Sequence, residues 1–146
     1  SLPAARLIIG APDRAVIRAT NPDENLDRTQ FKHWLTPGAK VTEVDGDLDI
    51  FGDGSVVMIK TPGHTPGHHS LLVRLHDKNV ILSGDLWHFE ASVPTNRVPT
   101  FNTSRAETLA SQDRLNRMIK NLHAELIVGH EAGDVSKLPK FPKGIE

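Results

Sequence analysis

Thr61-Pro-Gly-His-Thr-Pro-Gly-His-His69 is the stretch on which the reading turns. It cannot be regular structure. Pro62 and Pro66 each remove a backbone donor, and Gly63 and Gly67 permit angles closed to other residues. Upstream, Ser55 to Lys60 reads as a strand; downstream, Ser70 to Leu75 reads as another. A strand therefore runs into a bend that presents His64. The pattern recurs twice: Val80-Ile-Leu82 runs into Ser83-Gly84-Asp85, and Leu126-Ile-Val128 runs into Gly129-His130. Each time a buried strand meets glycine and then a side chain able to bind a metal. Glycine lets the backbone turn sharply, and a rigid strand holds the ligand in place.

Working outward, Arg6 to Gly10 is a short buried strand closed by glycine. Pro12 suits the first turn of a helix running to about Ala19. Asn25 to Leu35 predicts a second, weaker helix, stopped by Pro37 and Gly38. Lys40 to Val44, Leu48 to Phe51 and Asn79 to Leu82 are further strands. Gly46 and the Gly52-Asp53-Gly54 turn separate the first of these as hairpins. Asp85 to Asn102 is irregular. Ser104 caps the clearest helix, which runs to Leu122 with Glu107 at the capping-box position. Its Leu109, Leu115, Met118, Ile119 and Leu122 fall near helical spacing. Glu125 to Val128 is a last strand, and the tail bearing Lys137, Lys140 and Lys143 is expected on the surface. The sum is α/β, with sheets packed together and covered by helices.

The 146 residues suit one domain or a large piece of one. A net charge of -1 gives no basic footprint for nucleic acid, and no apolar run approaches the roughly 18 residues of a membrane span. There is no Cys, so disulfides and thiolate metal sites are excluded, while eight His are available. With no Tyr, no phenol can serve as acid or donor. The opening Ser1-Leu-Pro-Ala-Ala-Arg-Leu-Ile-Ile carries no signal peptide and enters an apolar run at once. It leads us to expect an upstream segment in the parent protein; the compartment stays open.

Two imidazoles and a carboxylate suit Zn²⁺ or another borderline divalent ion. A catalytic ion keeps a position for water and lowers its pKa from 15.7 to about 7. The two oxygens of Asp85 can bridge a pair of ions roughly 3.5–4 Å apart.

Thr61 to His68, Leu82-Ser-Gly-Asp85 and Val128-Gly-His130 together resemble the later motifs of the metallo-β-lactamase superfamily. Gly84-Asp-Leu-Trp-His88 and Arg97-Val-Pro-Thr-Phe-Asn102 resemble its N-acyl-homoserine lactonase branch most. The resemblance implies a metallo-β-lactamase-type αββα sandwich, of which residues 1–146 form the C-terminal part. It implies a dinuclear hydrolase with two Zn²⁺ ions. His64 binds the first, His130 the second, and Asp85 bridges both. A metal-bound hydroxide opens the lactone ring of N-acyl-homoserine lactones, a quorum-quenching reaction. Some members place a Tyr where this chain has His88, so His88 is expected to be catalytic alongside Asp85, donating to the substrate or its alkoxide. The family's His-X-His-X-Asp-His motif occurs nowhere in the chain and is expected upstream. The 146-residue piece alone should therefore bind metal poorly and be inactive. The substrate is a small molecule, and a homodimer stays open.

Each residue also has a plainer reading. His68 braces the loop behind the ligands, and His69 faces solvent or packs locally. Trp87, Phe89 and Phe101 either bury the irregular segment against the core or line an apolar pocket for an acyl chain. His33, His76 and His123 belong to the surface. The same metals could serve a thioester hydrolase of glyoxalase II type or a β-lactam hydrolase. A reading of another class keeps the fold as a metal-free structural or interaction module.

Overall fold

The computed structural model describes residues 5–19, 26–130 and 133. Asn25, at the start of the second expected helix, and the lysine-bearing tail lie outside that set. Strand β1 (Leu7–Gly10) leads into helix α1 (Ala11–Arg18), with Pro12 in its first turn. Residues Arg28–Leu35 form a 3₁₀ helix, not an α-helix. Asp27 caps it through the Thr29 amide, and its tighter winding suits short connectors. Strand β2 (Val41–Val44) then pairs in parallel with β1, Leu7 opposite Val41 and Gly10 opposite Val44.

The remaining strands form a second sheet: β3 (Leu48–Asp49), β4 (Val56–Lys60), β5 (His69–Arg74), β6 (Asn79–Leu82) and β7 (Glu125–Ile127), in that spatial order. Gly46 was expected to turn a hairpin. It instead joins β2 of one sheet to β3 of the other, so the chain changes sheets there. The hairpin at Gly52 to Gly54 does form, fixed by the Asp49 carboxylate, which accepts from the amides of both glycines. Asp49 thereby ends β3 two residues before the expected Phe51.

The register explains the core. Residues paired across a sheet share a face, and Val57, Leu72, Ile81 and Leu126 lie in one such row, with Ile59 beside it. Helix α2 (Arg105–Leu122) covers that face with Leu115, Met118, Ile119 and Leu122. Ser104 caps it by accepting from the Glu107 amide. The opposite face carries Met58, Val80 and Ile127, also buried, as strands buried on both faces require.

Strand direction sets up the site. β5 runs against both β4 and β6, and β7 runs parallel to β6. The C-terminal ends of β4, β6 and β7 therefore lie at one edge of the sheet. Among the described residues no helix is long and apolar enough to cross a membrane.

Candidate metal centre

The loop after β4 is built from within and tied down from two sides. The Gly63 amide donates to the Thr65 carbonyl, and the Thr61 amide to the His68 carbonyl, which closes the bend. Asp13, in the first turn of α1, accepts from the Gly67 amide and the Thr65 hydroxyl, each at 2.7 Å. On the other side the backbone before α2 meets the loop. The Ser104 amide donates to Gly63, and Thr103 donates to the His64 carbonyl through both its amide and its hydroxyl. Gly63 has φ +134°, and a Cβ there would fall 2.3 Å from the Thr108 nitrogen. The bend rests directly on the helix.

These contacts aim His64. Its Nδ1 lies 3.2 Å from Asn102 Oδ1, which can only accept; Asn102 Nδ2 donates to Thr108 Oγ1. Nδ1 therefore carries the proton, and Nε2 keeps its lone pair. That Nε2 lies 3.3 Å from Asp85 Oδ2.

Asp85 follows Gly84, whose φ of +57° turns the chain out of β6. The Asp85 amide donates to His68 Nε2 at 3.0 Å, so His68 Nδ1 holds the proton and donates to the Thr61 carbonyl. Burial holds the His68 pKa below the ordinary histidine value, against the opposing pull of the Thr61 carbonyl. A neutral ring is what accepting from an amide requires. His68 thus braces the Asp85 backbone. Beneath it Thr61 meets Ser70, which donates to the Ser83 carbonyl, linking the ends of β4, β5 and β6. His69 does not face solvent freely: its two ring nitrogens lie 2.7 Å from the Gly67 carbonyl and 3.0 Å from that of Gly46.

On the far side of Asp85, Oδ1 lies 2.8 Å from His130 Nε2. The carboxylate therefore offers one oxygen to each imidazole. Bonds of 2.0–2.2 Å in a tetrahedral zinc site place two ligand atoms on one ion roughly 3.3–3.5 Å apart. The His64 pair matches this, and the His130 pair falls a little inside it. His88 adds a third side chain. Asp85, His88 and His130 offer ligand atoms within 4.8 Å of one another, a group able to hold a metal ion. The His88 ring lies parallel to that of His130, with centroids 5.2 Å apart. Burial lowers the His88 pKa, His64 and His130 push the same way, and Asp85 opposes them.

The aromatic residues separate. Trp87 is 1% exposed and packs in the core with Leu72, Ile81 and Leu115. It buries the irregular segment, so its expected place in a pocket wall gives way to the structural reading. Phe89 is 60% exposed. Phe101 touches both His64 and His88 edge-on and lines a groove of about 840 Å³ that opens beside His64. Ile9, Val16, Ile17, Leu26 and Phe31 supply most of its apolar wall.

With this geometry in place, comparison with known proteins settles the family. The model of the metallo-beta-lactamase superfamily matches residues 9–130. The chain belongs to that superfamily. It is 32% identical over 117 residues to N-acyl homoserine lactonase AttM of Rhizobium radiobacter, covering 77% of this chain and 44% of the relative. The fold is similar to that of an N-acyl homoserine lactone hydrolase solved with N-hexanoyl-L-homoserine bound at its catalytic metal centre. There the TM-score is 0.76 at 22% identity, over 97% of this chain and 53% of that one. It is also similar to AidC, a dizinc quorum-quenching lactonase, with a TM-score of 0.65 at 17% identity, over 89% of this chain and 49% of that one. The chain thus spans about half the length of such metallo-beta-lactamase relatives and matches part of their domain.

Two contributors to this metallo-beta-lactamase site carried little signal in the sequence. Asn102 sits two residues before the Ser104 cap, a position that hints at a turn and not at a histidine partner. Asp13 looks like an ordinary acidic residue of a helix first turn.

Proposed function

We propose that the whole protein is a dizinc hydrolase that opens the ring of N-acyl-homoserine lactones, with His64, Asp85 and His130 as its metal ligands in this chain. One observation carries the reading: the two oxygens of Asp85 each face a different imidazole, at 3.3 and 2.8 Å. When bound there, a pair of divalent ions supplies activated water and polarises a carbonyl.

The chain's own residues do the rest. Asn102 keeps the His64 Nε2 lone pair free by accepting a hydrogen bond from Nδ1–H. Neutral His68 accepts from the Asp85 amide and so fixes the backbone from which the carboxylate projects. The groove beside His64 has the size and lining of a small-ligand pocket. It gives an acyl chain an apolar wall while the ring sits at the ligands, and Phe101 stands where the two meet. The His-X-His-X-Asp-His motif that the resemblance implies is absent from residues 1–146, so these residues alone are expected to turn over little.

Proton release on adding lactones of graded chain length to the zinc-loaded full-length protein tests the proposal. Thioester and cephalosporin rates are measured beside it. Faster turnover of either, or no release from any lactone with both ions bound, removes the lactonase assignment.

A further inference from the structure

We infer that His88 is a protein ligand of the ion shared by Asp85 and His130, and not a hydrogen-bond donor to the substrate. The inference rests on the metal reading above and goes beyond it, since the resemblance gives this position to a side chain that contacts substrate.

Backbone geometry turns His88 to the site. Trp87 is extended, at φ -130° and ψ 135°, and successive side chains of extended chain point to opposite sides. Burying the Trp87 indole in the core therefore aims its neighbour outward, toward Asp85. There its ring joins His130 in a parallel pair, and the three side chains bring ligand atoms within 4.8 Å of one another.

The second observation is independent. His88 Nδ1 is buried and has no hydrogen-bond partner among the described residues. A buried polar atom left unmet costs free energy, so such a ring draws its partner from outside these residues. Two imidazoles and one carboxylate make a donor set that zinc accepts. On this assignment the His130-side ion takes three ligands from this chain, and the His64-side ion takes two.

Cobalt titration of the metal-free full-length protein tests it, read by visible absorption and by stoichiometry. His88→Gln keeps a hydrogen-bond donor but loses the imidazole ligand. We expect one of the two ions to bind more weakly by at least the about 10- to 100-fold that loss of a mere outer partner costs, with a changed absorption band. His130→Gln should affect the same ion, and His64→Gln the other. Unaltered cobalt stoichiometry and spectrum in His88→Gln, with only turnover reduced, overturns the inference and leaves the metal reading intact. No cobalt bound by the unsubstituted protein overturns both. Labelling needs no variant: zinc should shield His88 from diethyl pyrocarbonate, read by mass spectrometry. Equal labelling with and without zinc overturns the inference.

Discussion

Replacing Gly63 with alanine tests the claim that helix α2 aims His64. The new Cβ would stand 2.3 Å from both the Thr108 nitrogen and Oγ1, 1.1 Å short of an ordinary 3.4 Å contact. Thr108 Oγ1 is no free end. It donates to Ser104 and accepts from Asn102, whose carbonyl oxygen meets His64. Either the loop or the helix start has to retreat by about that distance. The backbone adds its own penalty, because φ +134° belongs to a region that non-glycine residues rarely occupy. Strain of that kind costs about 1–3 kcal/mol, and overpacking a well-filled contact about 1–3 more. The sum, about 2–6 kcal/mol, is a large share of the roughly 5–15 kcal/mol that holds a typical domain. Urea melts of the metal-free full-length protein measure it. Gly38→Ala is the control: φ is +81°, but nothing lies within 4 Å, so only backbone strain applies. If Gly63→Ala melts within about 0.5 kcal/mol of that control, the bend does not rest on the helix as described. In the folded variant we also expect weaker metal binding, because the Asn102 link to His64 moves with Thr108.

Three further outcomes follow from other parts of the molecule. Trp87→Ala should destabilise the protein by about 3–5 kcal/mol in a denaturant melt, the cost of emptying a core position; a loss under 1 kcal/mol would return Trp87 to the pocket wall. Asn102→Ala should weaken metal binding about 10- to 100-fold by calorimetry while changing the melt little, since the His64 tautomer is no longer fixed. Asp47 is pushed up by burial, but its hydrogen bond from Arg114, the Lys60 amide and the Arg114 charge together hold its pKa below the ordinary carboxylate value. Its folded-state pKa is depressed, so its contribution is present above the unfolded value and fades as pH drops below about 4. Asp47→Asn should therefore lower stability at pH 7 and flatten the acid limb of stability against pH; an unchanged limb would show that the Arg114 clamp does nothing.

The sequence made the candidate site legible because its candidate ligands follow strands with local signatures. Lys60, Leu82 and Val128 each precede a glycine-bearing turn, and the spacing of apolar residues marks the strands on its own. What it could not show was pairing at a distance. β1 and β2 pair in parallel across more than thirty residues, and parallel pairing leaves no turn to read. That is why Gly46 looked like a hairpin. Nor did the sequence separate Trp87 from Phe101. Both are aromatic residues in one irregular stretch, and only backbone direction decides which enters the core. The expected weaker helix through Leu35 is wound as 3₁₀, a distinction too fine for apolar spacing to resolve. The resemblance singled out His88 as a donor to substrate, but its approach to His130 depends on two segments 42 positions apart in the numbering.

The antiparallel course of β5 also leaves the opposite end of the sheet free for engineering. The turns at Gly52 to Gly54 and His76 to Lys78 sit there, about 15 Å from the candidate ligands by the rise of a five-residue strand. Phe51 lies 70% exposed at that end. A tether spliced in after Asp77 would fasten the molecule to a bead or sensor chip with its cleft pointing into the liquid. An affinity tag placed there would leave the end bearing His64, Asp85 and His130 unencumbered.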